Sequence, residues 1–396
     1  MSNRSRASRS LSLRMGVVLA LVAGAPVTQT AFAADKAAPV TQMPMFEWDP
    51  TWPKPLPDTW AIGPVVGVSV DADDHIWIIQ RQSAIRNNER YNALLQKPPT
   101  AECCLPAPPI MEFDQEGKLL LSFGGPGNSY DWPGSEHGMY VDPKGFVWTA
   151  GNGRGANGKQ GDTQILKFSH DGKFVMAIGK KNESTGNDDK VSVRQAAAVT
   201  LDLPTNELYV ADGYGNRRIV VFDADTGKFK RMWGAYGNKP EDADIGPYKP
   251  TDPPAKQFRT VHGVSISKDG LVYVADRSND RIQVFTKAGK FLKEVFIAKN
   301  TIQAGSASGV AFSPDAKQTY MYVLDGANHR FWILDRANLT ILGYFGHHGH
   351  FGGQLDVPHN MAVDSKGNVY IGETLEGRRV QRFNFKGLGP IPAAAK

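Results

Sequence analysis

An all-β chain folded as a six-bladed β-propeller is what this sequence predicts, on three observations. One strand–turn–strand pattern recurs six times, its turns opened by Asp71, Asp142, Asp202, Ser267, Ser313 and Asp364. Two further alternating runs follow most copies, joined by Asp-Gly, Ala-Gly or Thr-Gly hairpin turns. No stretch keeps an apolar face at helical period for three turns. Four antiparallel strands per unit, repeated radially, hide most strand edges by closing into a ring. A solenoid of the same units would need end caps that the sequence does not show.

The segments follow in order. Residues 1–33 read as a signal peptide: four arginines without an acid, then the apolar run "MGVVLALVAGAPV", then a small-residue cleavage site at "AFA". The run is too short, and too rich in glycine and proline, to suit a membrane span. Export to the periplasm or the cell exterior is the expectation, with no membrane span in the mature chain. Residues 34–60 form an N-terminal segment, 61–390 the propeller and 391–396 a C-terminal tail. The last repeat runs through "VQRFNFKG" and stops at "LGPIPAAAK" without a fourth strand. The stretch "APVTQMPMFEWDP" is therefore expected to supply that strand through Met45 to Trp48, closing the ring.

Large insertions mark one face of the ring, since loops vary around a rigid frame. They are "QSAIRNNERYNALLQKPPTAECCLPAP" in blade one, "GKKNESTGNDDKVSVRQ" before blade three, "AYGNKPEDADIGPYKPTDPPAKQF" before blade four and "GHHGHFGGQLD" before blade six. The two cysteines, Cys103 and Cys104, are adjacent. They are either a vicinal disulfide or two thiols, and in neither state do they staple distant segments. The net charge of +5 belongs mostly to the four leader arginines, which removes any electrostatic case for nucleic acid as a partner. A monomer acting on a small molecule or a peptide C-terminus is expected.

Five residues before each turn-opening residue stand Val66, His137, Ala197, His262, Ser308 and His359. Histidine thus occupies blades two, four and six. Innermost strands line the central tunnel, so these three side chains should converge at one height. Three neutral imidazoles leaving one face open are a common way to hold a catalytic zinc; iron, nickel or copper also suit imidazole nitrogen. The other six histidines, including His347, His348 and His350, read as surface or loop residues, with a second metal-binding patch as the alternative. Calcium at a separate structural site, held mainly by carbonyls, is a further expectation.

The second strands end toward the same mouth, bringing Arg81, Asn152, Tyr214 and Arg277 to the rim. Arginine offers a permanently charged donor fork for a carboxylate or an oxyanion. A tyrosine beside a metal and an arginine is suited to be a general base. Asp276 and Arg281 read instead as bonds of the repeat itself.

The units "ADGYGNRRIVVF" and "ADRSNDRIQVF" resemble NHL repeats, and residues 60–385 resemble the lyase domain of the peptidylglycine alpha-amidating monooxygenase family. The resemblance implies a zinc held by His137, His262 and His359, with Tyr214, Arg81 and Arg277 as catalytic residues. It implies cleavage of the C–N bond of an alpha-hydroxyglycine, giving an amide and glyoxylate. The "AECCLPAPP" insertion and the absence of the family's disulfides depart from the pattern. The competing expectations are a non-catalytic ligand- or protein-binding propeller and a metal-dependent hydrolase or lactonase. A calcium lactonase wants carboxylates and asparagines around the axis, which the alternating histidines contradict.

Overall fold

The computed structural model describes residues 40–86, 88–127, 129–155 and 161–393. The expected signal peptide lies outside them, as do residues 394–396. Six four-stranded antiparallel sheets form the blades. Their innermost strands are Val65–Val70, Glu136–Val141, Ala198–Asp202, Val261–Ile266, Gly309–Phe312 and Pro358–Val363. No helix among the described residues is long and apolar enough to cross a membrane.

Alternation builds the core between blades. Leu208 and Val210 of blade three pack with Trp148, Ala150 and Ile165 of blade two, while Tyr209 and Ala211 of the same strand turn toward blade four. The turn-opening acids fix the hairpins. Asp142 accepts the amides of Lys144 and Phe146 with one oxygen and the Trp148 indole N–H, at 2.8 Å, with the other. Asp276 and Arg281 are both fully buried and paired at 2.9 Å. Arg281 also donates to the carbonyls of Ala255 and Gln257 in the segment entering blade four. Those bonds offset the desolvation of both charges.

Closure is by the N-terminal strand, which spans Gln42–Trp48 and so includes the expected Met45 to Trp48. It pairs with the last strand, Arg379–Pro390, from Gln42 opposite Pro390 to Trp48 opposite Phe383. Phe46 enters an aromatic cluster with Tyr322, Phe331 and Phe345 of blade five, so the seam is packed as well as hydrogen-bonded. Beyond it, Arg382 donates to Asp49 at 3.0 Å. Burial pushes the Asp49 carboxyl up, but bonds from Arg382, Thr51 and Asn384 outweigh it and hold the group below its ordinary value. A depressed carboxylate stabilises the fold fully above its unfolded value of about 4, and that contribution fades as pH falls toward the folded value. Asp49→Asn should therefore lower the urea midpoint at about pH 6 and show a weaker decline than the parent toward about pH 3. Parallel declines in the two proteins would count against this clasp.

Candidate metal centre

The three histidines enter the tunnel through a backbone irregularity. In blades four and six the ladder skips the histidine itself, passing from Val261 to Gly263 and from Pro358 to Asn360. In blade two it skips the next residue, Gly138. A bulge places an extra residue in one strand and re-aims its side chain. Gly138 has a φ of 63°, and a Cβ there would meet the Ala197 carbonyl oxygen at 2.3 Å. Glycine is required where the turn presses on the next blade.

The rings of His137, His262 and His359 are 1%, 2% and 8% exposed. Their centroids lie 4.7–5.2 Å apart, and one ligand atom from each falls within 4.8 Å of the others. His137 Nδ1 donates to the Ala197 carbonyl at 2.8 Å and His262 Nδ1 to the Ser308 carbonyl at 2.6 Å. The Val66 carbonyl takes the matching place beside His359, although that Nδ1 makes no bond of strict geometry. The small or apolar residues of the odd-numbered blades thus present their carbonyls to the histidine of the blade before. Such carbonyl contacts fix the tautomer and orient the ring, turning the Nε2 lone pairs toward the axis.

Burial, then His359 and the Arg81 and Arg277 guanidiniums, holds His137 well below the ordinary histidine value; burial, then Arg277 and the other two imidazoles, does the same for His262. Burial and the same arginines bring His359 to about 3. All three rings are neutral near pH 7, the state in which they bind metal without losing a proton.

Tyr214 reaches over the cluster. Its hydroxyl lies 3.1 Å from His137 Nε2 and 3.0 Å from His262 Nε2. One hydroxyl proton cannot satisfy two lone pairs, so the donor set is suited to a cation. Arg277 donates to the same oxygen at 2.9 Å, with its guanidinium 5.2 Å from the ring centroid, and its Nε is buried without a partner. Arg81 is held by the Glu136 carbonyl at 3.2 Å and by Asn152 Oδ1 at 3.3 Å. Burial lowers the Arg81 pKa, while Tyr214 and Glu136 oppose the shift.

Glu136 is itself engaged by Ser83 Oγ at 2.5 Å and by the Trp132 indole at 3.0 Å. Neither group carried a role in the sequence, since Ser83 lies in an insertion and Glu136 merely precedes a histidine. Five of the six residues singled out for the site are thus in contact, and Arg81 stands beside them on bonds to Glu136 and Asn152. Below His262 a cavity of about 300 Å³ follows the inner strands past Ser265 and Phe312. The vicinal cysteines are joined to each other in the blade-one insertion. That loop is tied in by a short parallel ladder between Trp60–Ala61 and Leu105–Pro106.

A match to the NHL repeat covers residues 258–285. The chain is 25% identical over 334 residues to peptidyl-glycine alpha-amidating monooxygenase A of Xenopus laevis, covering 83% of this chain and 32% of that protein. It thus spans about a third of the monooxygenase it matches. It is 26% identical over 356 residues to NHL repeat-containing protein 3 of Mus musculus, covering 86% and 84% of the two chains. A probable peptidyl-alpha-hydroxyglycine alpha-amidating lyase of Caenorhabditis elegans is 27% identical over 234 residues, covering 57% and 56%. A streptogramin B lyase structure superposes with a TM-score of 0.51 at 15% identity, covering 87% of this chain and 98% of that one, a likeness of fold alone. The chain is an NHL-repeat six-bladed propeller related at low identity to the amidating monooxygenase and to NHL repeat-containing protein 3, with a group of histidines able to hold a metal ion.

Proposed function

We propose that the protein is an exported, metal-dependent lyase that cleaves the C–N bond of an alpha-hydroxylated amide. The observation that carries this reading is the meeting of Tyr214 and Arg277 directly over three neutral imidazoles. His137, His262 and His359 would hold zinc, which keeps a coordination position open and acts as a Lewis acid toward an oxygen placed there. Calcium takes six to eight oxygen ligands and does not suit this all-nitrogen set.

The chain's own residues then supply the rest. Arg81, met by no carboxylate at bonding distance among the described residues, holds the substrate carboxylate or a developing oxyanion. The Tyr214 oxygen, kept in place by Arg277 and having first released its own proton to solvent, accepts the proton of the substrate hydroxyl. As that C–O bond becomes a carbonyl, the C–N bond breaks and its electron pair goes to nitrogen. A proton from solvent or a rim donor completes the amide, and glyoxylate is the second product.

The likeness to NHL repeat-containing protein 3 across 84% of its length supports a second reading, a propeller that binds without catalysis. An assay separates the two. Protein loaded with zinc should release glyoxylate and amide in equal amounts from alpha-hydroxyglycine derivatives, and a chelator should stop it. Absence of glyoxylate from every derivative, with one zinc bound per chain, would leave the binding reading in place.

A further inference from the structure

A second group of imidazoles lies on residues 346–357, the loop that leads into the inner strand of blade six. Asp356 is 5% exposed. Its backbone amide donates to Glu373 Oε2 at 3.0 Å, yet among the described residues no N–H or O–H donates to its carboxylate. Two other buried carboxylates are satisfied, Asp276 by Arg259, Asn279 and Arg281, and Asp364 by backbone amides, Asn368 and Tyr370, whereas Asp280 keeps one oxygen without a donor. The Asp356 side chain is largely enclosed, yet both oxygens keep contact with solvent, which leaves them open to a cation.

The groups that face Asp356 are imidazoles. His348 Nε2 stands 3.5 Å from one oxygen and His350 Nδ1 3.6 Å from the other. These separations exceed the hydrogen-bonding range of about 2.7–3.2 Å. They approach the roughly 3.3 Å that separates neighbouring ligands of a tetrahedral metal with bonds of about 2 Å. His329 lies beside them, its ring 4.5 Å from that of His348, and with His348 and Asp356 it keeps one ligand atom within 4.8 Å. Its Nδ1 accepts the Val357 amide at 3.1 Å, however, so the neutral ring carries its proton on Nε2 and offers no free lone pair. His350 makes no ring hydrogen bond among the described residues; its exposed ring stands 6.0 Å from that of His348, so a side-chain rotation toward Asp356 makes it the third ligand.

The loop is also built in advance. Arg379 holds the Gly349 carbonyl at 3.2 Å and the Gln354 carbonyl at 3.0 Å, and also donates to the His350 carbonyl. Leu355 and His347 pair through the backbone at 3.0 Å. The other histidine–carboxylate group, Asp71 with His75 and Glu112, is different. Asp71 is occupied by the Trp77 indole and backbone amides, and Glu112 by His75 and His170. That is a finished network.

We propose that Asp356, His348 and His350 form a second site for a divalent transition metal, separate from the axial cluster. Two imidazoles and one carboxylate suit zinc, cobalt, nickel or iron rather than calcium. Occupancy would brace the connection between blades five and six, three residues before His359.

The test is a titration of metal-free full-length protein with Co²⁺, followed by visible absorption and by metal content after equilibrium dialysis. The double variant His348→Ala/His350→Ala should bind one equivalent fewer than the parent, whatever the axial cluster binds. His137→Ala should keep the absorption of the loop site, and Asp356→Asn should weaken it by about 10-fold or more. Equal stoichiometry in the parent and the double variant would overturn the site. Loss of the loop signal in His329→Ala with its retention in His350→Ala would overturn the ligand set.

Discussion

His262→Ala is expected to lose the tightly bound metal of the tunnel and, with it, at least ~10²-fold in turnover, because a metal Lewis acid is worth several kcal/mol of transition-state stabilisation. His262 is 2% exposed and tied at Nδ1 to the Ser308 carbonyl, so its Nε2 is aimed and cannot be replaced by a neighbour. Two remaining imidazoles would leave a pair of ligands where a catalytic zinc ordinarily keeps three. Removing a buried ring also leaves a void, so the measurement pairs metal analysis with a thermal melt. The melt should show a folded protein of reduced stability, while metal falls to the level contributed by any other site. His262→Ala that keeps a full equivalent at the axis, shown by an unchanged difference from the loop variants, would mean that the cluster does not hold the ion. The same outcome is expected for His137→Ala and His359→Ala, since each supplies one side of the same triangle.

Much of this arrangement was legible in the sequence because the repeat carries its own ruler. Counting five residues back from Asp142, Ser267 and Asp364 lands on His137, His262 and His359, and a ring turns that register into proximity. The closing strand was legible for a different reason: the last repeat lacked a partner, and "FEWDP" had none either. Its start at Gln42 was not, because Gln42 and Pro44 carry no alternating apolar signal and join the strand only through pairing with Pro390 and Leu388.

The bulges at the histidines also left no trace. Period-two alternation reports which face a residue occupies, whereas a bulge is set by tertiary contact with the next blade. The carbonyls of Ala197 and Ser308 were hidden for a related reason, since a backbone acceptor is the same for every residue type. Their positions were nonetheless in the register count, as the odd-blade partners of the three histidines. Support of Arg81 by Asn152 and Glu136 joins blade one to blade two at the rim and required the fold to be seen.

Tyr214→Phe is expected to cut turnover by ~10²–10⁴-fold, the range ordinarily carried by a positioned general base, with metal content unchanged. The substitution keeps the ring under the Arg277 guanidinium and removes only the oxygen that lies 3.0–3.1 Å from two ligand nitrogens and 2.9 Å from Arg277. Substrate affinity should change little if Arg81 and the metal hold the carboxylate and hydroxyl, so the loss should fall on kcat rather than on KM. A merely structural tyrosine would give a different pattern: a lower melting temperature, with activity recovered when the protein is assayed cold. Arg277→Lys retains a positive charge but not the donor fork, and should fall between parent and Tyr214→Phe because a point charge cannot both fix the oxygen and stack on the ring. Full turnover by Tyr214→Phe across the pH range, with zinc retained at the axial cluster, would remove Tyr214 from the chemistry and leave the proton to another acceptor.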